Sequence, residues 1–146
     1  MISDFEVIPY VGAGPLRFGM TPQEVIALLG EPEVVAPTWD KRLAHGYPGL
    51  RLFYSHQNTL AECGFEPPLK LMVGGVDATN DKLALQKLAK LDPHPLRHMD
   101  VVWFPALGMT MGVRRTPNDC EVAVFVKGAL DGLDFEPYSV IRAVVD

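Results

Sequence analysis

Thirteen glycines and thirteen prolines punctuate the 146 residues, and that punctuation limits what the chain can build. Together they take 26 of the 146 positions, roughly 18% against a background near 12%. Proline breaks a helix interior, and glycine favours turns. A bundle of long helices is therefore excluded; short elements joined by many turns remain. The rest of the composition, 48% apolar and 21% charged, belongs to a globular chain and excludes intrinsic disorder. The length fits one domain, spanning 1–146, with a core large enough to need no staples.

Charge makes a second exclusion. Thirteen Lys+Arg against 18 Asp+Glu leave a net charge of −5. The longest basic runs are pairs, Lys41-Arg42 and Arg114-Arg115. Nucleic-acid binders carry a basic stripe, because phosphate neutralisation supplies most of their affinity. No nucleic-acid partner is expected. The first six residues hold two acids and no base, unlike a signal peptide. The longest uncharged stretch, 101–113, is far short of the ~20 apolar residues of a span. Cys63 and Cys120 lack CxxC spacing and read as reduced structural thiols. The expectation is a cytoplasmic protein with no membrane association.

Two segments carry helix signals. Thr21 stands as N-cap, Pro22 at the first helical position, and Glu24 completes a T-x-x-E capping box. Val25, Ile26, Leu28 and Leu29 follow at helical spacing, and Gly30 and Pro32 stop a helix over 21–30. A second helix is predicted over 79–91, with Thr79 or Asn80 as cap. Leu83, Leu85, Leu88, Ala89 and Leu91 form its apolar stripe, and Asp92-Pro93 closes it.

Elsewhere the pattern is that of strands. Leu50, Leu52 and Tyr54 alternate with Arg51, Phe53 and Ser55. The runs 60–65, 100–104, 107–113 and 121–126 are also strand-like, and 16–20 is a short strand or an extended lead-in. His56-Gln57-Asn58 and residues 116–119 read as hairpin turns.

The halves echo each other. Thr21 and Thr79 lie 58 apart; Tyr47-Pro48-Gly49-Leu50 and Phe104-Pro105-Ala106-Leu107 lie 57 apart, as do Cys63 and Cys120. Such self-similarity is the mark of a repeat architecture. The expected fold is α+β: two tandem repeats, about 15–68 and 72–128, and a C-terminal segment 129–146. Each repeat would be a short helix plus antiparallel strands, with helices packed on one face of a curved antiparallel sheet. Leu50 and Leu107 would be equivalent buried strand starts.

Gly19-Met20-Thr21-Pro22, Val25, Leu29-Gly30 and Pro32 fit a G-M-[ST]-x-x-x-V-x-x-x-L-G-x-P pattern. This resembles the opening of small α/β repeats found in SmpA/OmlA (BamE)-type lipoproteins and, doubled, in β-lactamase inhibitory proteins. It is also similar to the opening of several cytosolic bacterial immunity-type proteins. The resemblance covers residues 19–32 well and the repeat plan loosely. It implies a sheet whose open face binds a protein; the lipidated Cys and per-repeat disulfides of those families have no counterpart here.

No catalytic constellation emerges. Gly12-Ala13-Gly14 has Arg17 where a dinucleotide fingerprint needs its third glycine, so these glycines read as a turn. His45, His56, His94 and His98 offer no metal quartet, since Pro95 keeps His94 and His98 off a common helix face. Cys63 lies in an apolar run, where free Cys usually acts as a small buried hydrophobe. Ser3, Ser55 and Ser139 are the only serines, and none sits in a G-x-S-x-G elbow. Neither a cofactor nor a metal is expected.

Aromatics crowd the strand regions, and interface hot spots favour Trp, Tyr and Arg. The expected partner-facing residues are Trp39, Arg51, Tyr54, Trp103 and Arg114. The function expected is a non-enzymatic protein-binding module, an immunity-type inhibitor that occludes a toxin or enzyme, as monomer or homodimer. The alternatives are a small ligand-binding domain or enzyme, and a homo-oligomeric structural domain.

Overall fold

The computed structural model describes residues 2–113 and 121–140. Helix α1 (Pro22–Leu29) begins as its capping box predicts. Thr21 Oγ1 accepts the Glu24 N–H at 3.2 Å, and the Glu24 carboxylate accepts the Thr21 N–H at 3.2 Å. Helix α2 (Ala84–Leu91) starts later than predicted, with Leu83 at its N-cap and no side-chain cap. Thr79 and Asn80 are occupied elsewhere: their N–H groups donate to Asp77 Oδ1 at 3.2 and 3.1 Å, fixing a turn. Short polar side chains hold turns by this same chemistry.

Strands β1 (Asp4–Ile8), β2 (Gly12–Ala13) and β3 (Leu16–Arg17) precede α1. Strands β4 (Val34–Pro37), β5 (Leu43–Tyr47), β6 (Leu50–Tyr54) and β7 (Leu60–Phe65) follow it. Then come β8 (Lys70–Val73) and β9 (Val76–Asp77) before α2. Strands β10 (Leu96–His98), β11 (Val101–Phe104), β12 (Met109–Gly112), β13 (Val122–Phe125) and β14 (Glu136–Pro137) complete the described chain. Nine of them form one sheet in the order β14-β10-β11-β12-β13-β7-β6-β5-β4, antiparallel throughout. The other five form a second sheet, β3-β2-β1-β8-β9, in which β1 and β8 run parallel.

This overturns the expected α+β plan of two repeats with helices laid on a curved sheet. Strand makes up 39% and helix 13% of the described residues. Among the described residues, two eight-residue helices, of which α1 buries only Val25, cannot cover nine strands. A second sheet supplies most of the opposing layer instead. Phe5 of β1 meets Phe65 of β7 with ring centroids 5.1 Å apart, and Phe5, Val7, Leu16, Leu71 and Val73 join one core with the long sheet. The strands of 15–68 and 72–128 meet where β7 pairs with β13, so one sheet runs through both. Asp4–Ile8 alternates cleanly, with Phe5 and Val7 buried, but its parallel partner β8 lies over sixty residues away. Only the tertiary fold brings that pair together.

The two aromatic-Pro turns also differ. Pro48-Gly49 makes a two-residue hairpin between paired Tyr47 and Leu50, with Gly49 at φ 72°, a left-handed value. Leu50 is buried at the start of β6. Leu107 lies within the 105–108 turn and is half-buried, so it is not a strand start. The predicted turn at 116–119, Cys120 and Arg114 lie outside the described residues.

Candidate functional site

Register fixes which side chains leave the core. Leu52, Cys63 and Val124 face one another across β6, β7 and β13, and all three are buried. Side chains alternate along a strand. Their neighbours Phe53, Glu62 and Phe125, also aligned across the three strands, therefore share the outward face. A second outward row runs Arg51, Gly64, Ala123, Thr110 and Trp103. Gly64 has a spatial reason: a Cβ there would lie 3.1 Å from the Glu121 carboxylate.

Between β6 and β7 the pairing passes from Phe53–Glu62 to Tyr54–Leu60, which leaves Ala61 as an extra residue in a β-bulge. Beside it opens a cleft of about 460 Å³, lined among others by Asp40, Arg42, His56, Glu62, Phe125 and Leu130. Arg42 Nε donates to both Asp40 carboxylate oxygens, at 3.1 and 2.9 Å. The Thr38 hydroxyl and this guanidinium hold the Asp40 carboxyl below its usual range. His56 Nε2 lies 3.0 Å from the Asp40 carbonyl. Burial pushes Glu62 up to about 7; Arg42 pulls the other way, and Glu121 adds to the rise. Among the described residues no hydrogen bond or ion pair reaches the Glu62 carboxylate.

A second cleft of about 290 Å³ adjoins the first and shares Phe125, Val126, Ala129 and Leu130 with it. Its far wall is Tyr10, Trp103 and Pro105, where the Tyr10 hydroxyl donates to the Pro105 carbonyl at 2.6 Å. Trp103 also packs on Phe135, centroids 5.1 Å apart. One turn thus separates a charged cleft from an aromatic one.

The predicted surface residues divide accordingly. Trp39 is 94% exposed in the β4–β5 turn, next to Asp40. Arg51 is exposed and paired with Glu66 at 2.6 Å and Glu121 at 3.6 Å. Trp103 is half-buried on the outward face. Tyr54 is a correction: it is 0% exposed and belongs to the core. Its hydroxyl lies 3.2 Å from buried His45 Nδ1, and the two rings meet edge to face. The parity was readable, since Tyr54 shares a face with Leu50 and Leu52. Arg114 lies outside the described residues. Glu62, Phe53 and Phe125 were missed, because only the register across β6, β7 and β13 places them side by side.

Cys63 is fully buried, which pushes its thiol far above the ordinary range and away from nucleophilic use. Among the described residues no three His, Cys, Asp or Glu side chains gather in a metal-holding group. No helix among the described residues is long and apolar enough to cross a membrane. Comparison with protein-family models, with curated proteins and with solved structures returns no match.

Proposed function

We propose that this chain is a non-catalytic protein-binding module that occludes its partner stoichiometrically, as immunity-type inhibitors do. It binds through the outward face of the nine-stranded sheet. The carrying observation is the pair of adjoining clefts on that face, divided at Phe125 and bordered by the turn that holds out Trp39. An exposed Trp beside half-buried aromatics is the composition of an interface hot spot rather than of a solvated surface. A partner fitting this face would bury roughly 1,600 Å² in total, the standard interface size.

The test is affinity capture from the cells that make the protein, followed by calorimetric titration of the captured partner. The expected result is a 1:1 complex that Trp39→Ala weakens by at least ~2 kcal/mol, the hot-spot threshold. A partner bound equally by wild type, Trp39→Ala and Trp103→Ala would place the binding face elsewhere. One observation favours a second reading, a small-ligand enzyme. Glu62, raised to about 7 in a cleft beside Arg42, has the proton affinity of a general acid or base at neutral pH. A turnover abolished by Glu62→Gln would decide for it.

A further inference from the structure

We propose that the cleft over Glu62 receives one basic side chain, an arginine or lysine presented by the partner; this rests on the protein-binding reading above. Glu62 is a half-buried acid on the cleft wall, and among the described residues no hydrogen bond reaches its carboxyl group. Burial favours the neutral form of such a group, and a cation beside it restores the charged form. Arg42, which lines the same cleft, is turned to Asp40 by two contacts at 3.1 and 2.9 Å.

The other charges that face this cleft leave room for a cation. Asp40 and Arg42 come from the β4–β5 turn and balance each other. Glu121, just before β13, adds negative potential and shares Arg51 with Glu66. His56, from the β6–β7 turn, is held against the Asp40 carbonyl. Lys127 lines the neighbouring cleft instead.

The flanking residues fit the same guest. Phe125 lines the cleft, and Phe125 and Phe53 stand directly opposite Glu62 on its two adjacent strands, where side chains on one face lie within contact reach. Aromatic faces attract a guanidinium or ammonium group, and a guanidinium brings five N–H donors to a carboxylate. A net charge of −5 favours a basic partner in the same sense. Entry of a cation holds Glu62 ionised, so occupancy releases a proton near neutral pH and strengthens as pH rises.

The experiment titrates the full chain with N-acetyl-arginine amide, using N-acetyl-citrulline amide as the uncharged isostere, and follows the Glu62 side-chain carboxyl and the Phe53 and Phe125 amides by NMR. The expected result is at least tenfold preference for the arginine probe at pH 8, a smaller preference at pH 5.5, and its loss in Glu62→Gln. Phe125→Leu should reduce the preference while leaving Glu62 titrating. Equal binding of the two probes, or a preference that survives Glu62→Gln, overturns the proposal. Arginine binding at Glu62 with no captured partner keeps the slot and overturns the protein-binding reading. A partner captured through Trp39 with no arginine preference at Glu62 overturns the slot alone.

Discussion

Replacing Glu62 by Gln should make the protein more stable at alkaline pH and leave it unchanged in acid. In the unfolded chain the carboxyl titrates at its ordinary 4.5, whereas in the folded protein burial holds it near 7. Below 4.5 both states carry the proton, so wild type and the Glu62→Gln variant should be equivalent in that respect. Between 4.5 and 7 the unfolded chain ionises while the folded one stays protonated, so the fold loses stability as pH rises. Above 7 the whole penalty is present. At 1.36 kcal/mol per pH unit the interval corresponds to about 3 kcal/mol, and solvent at the mouth of the cleft reduces this to about 2–3 kcal/mol. Urea unfolding of wild type and Glu62→Gln at several pH values between about 4 and 8.5 measures it. His45, whose burial lowers its pKa, titrates in both proteins and cancels from the difference. The expected difference grows from near zero in acid to about 2–3 kcal/mol in favour of the variant. A flat difference, or a variant less stable at pH 8, would refute the reasoning. The second outcome would mean that Arg42 attracts the Glu62 carboxylate more strongly than burial opposes it.

Three further outcomes follow from the packing. Tyr54→Ala should cost about 3–5 kcal/mol in denaturant unfolding, the range for a buried aromatic, while Tyr54→Phe loses only the His45 contact, about 1 kcal/mol. A small loss for the Ala variant would put the ring outside the core. Asp92 is buried just past α2, accepts the Ala106 N–H at 2.9 Å and the His94 N–H at 3.1 Å, and so ties the helix end to the β11–β12 turn. Asp92→Ala should destabilise by about 1–3 kcal/mol through the orphaned N–H groups, and amide exchange at Ala106 should accelerate; unchanged exchange there counts against the tie. Arg51→Ala should change stability by less than about 1 kcal/mol, because its Glu66 pair is solvent-exposed; a larger loss by thermal melting would show that the pair matters more than its exposure allows.

Local chemistry was legible in the chain. The Thr21–Glu24 capping box, the Gly30 stop and the alternation of Leu50, Leu52 and Tyr54 rest on contacts a few residues apart, and each recurs in the fold. Turn glycines and prolines cut the chain into pieces too short for anything but small elements, as the strand lengths show. Even the burial of Tyr54 was written in its parity with two leucines.

What the tertiary structure decided was pairing between distant segments. Asp4–Ile8 alternates as a strand, but nothing local says that it lies parallel to Lys70–Val73 and builds a second sheet where helices were expected. Thr79 and Asn80 have the composition of a helix cap and serve a turn instead, because Asp77 and the Leu69 carbonyl reach them first. The site shows the same division. Glu62 reads in sequence as one acid in an apolar run; its place between Phe53 and Phe125 arises from register across three strands. Residues near in sequence declare their contacts through spacing and capping, whereas cross-strand neighbours declare theirs only once the whole sheet has closed.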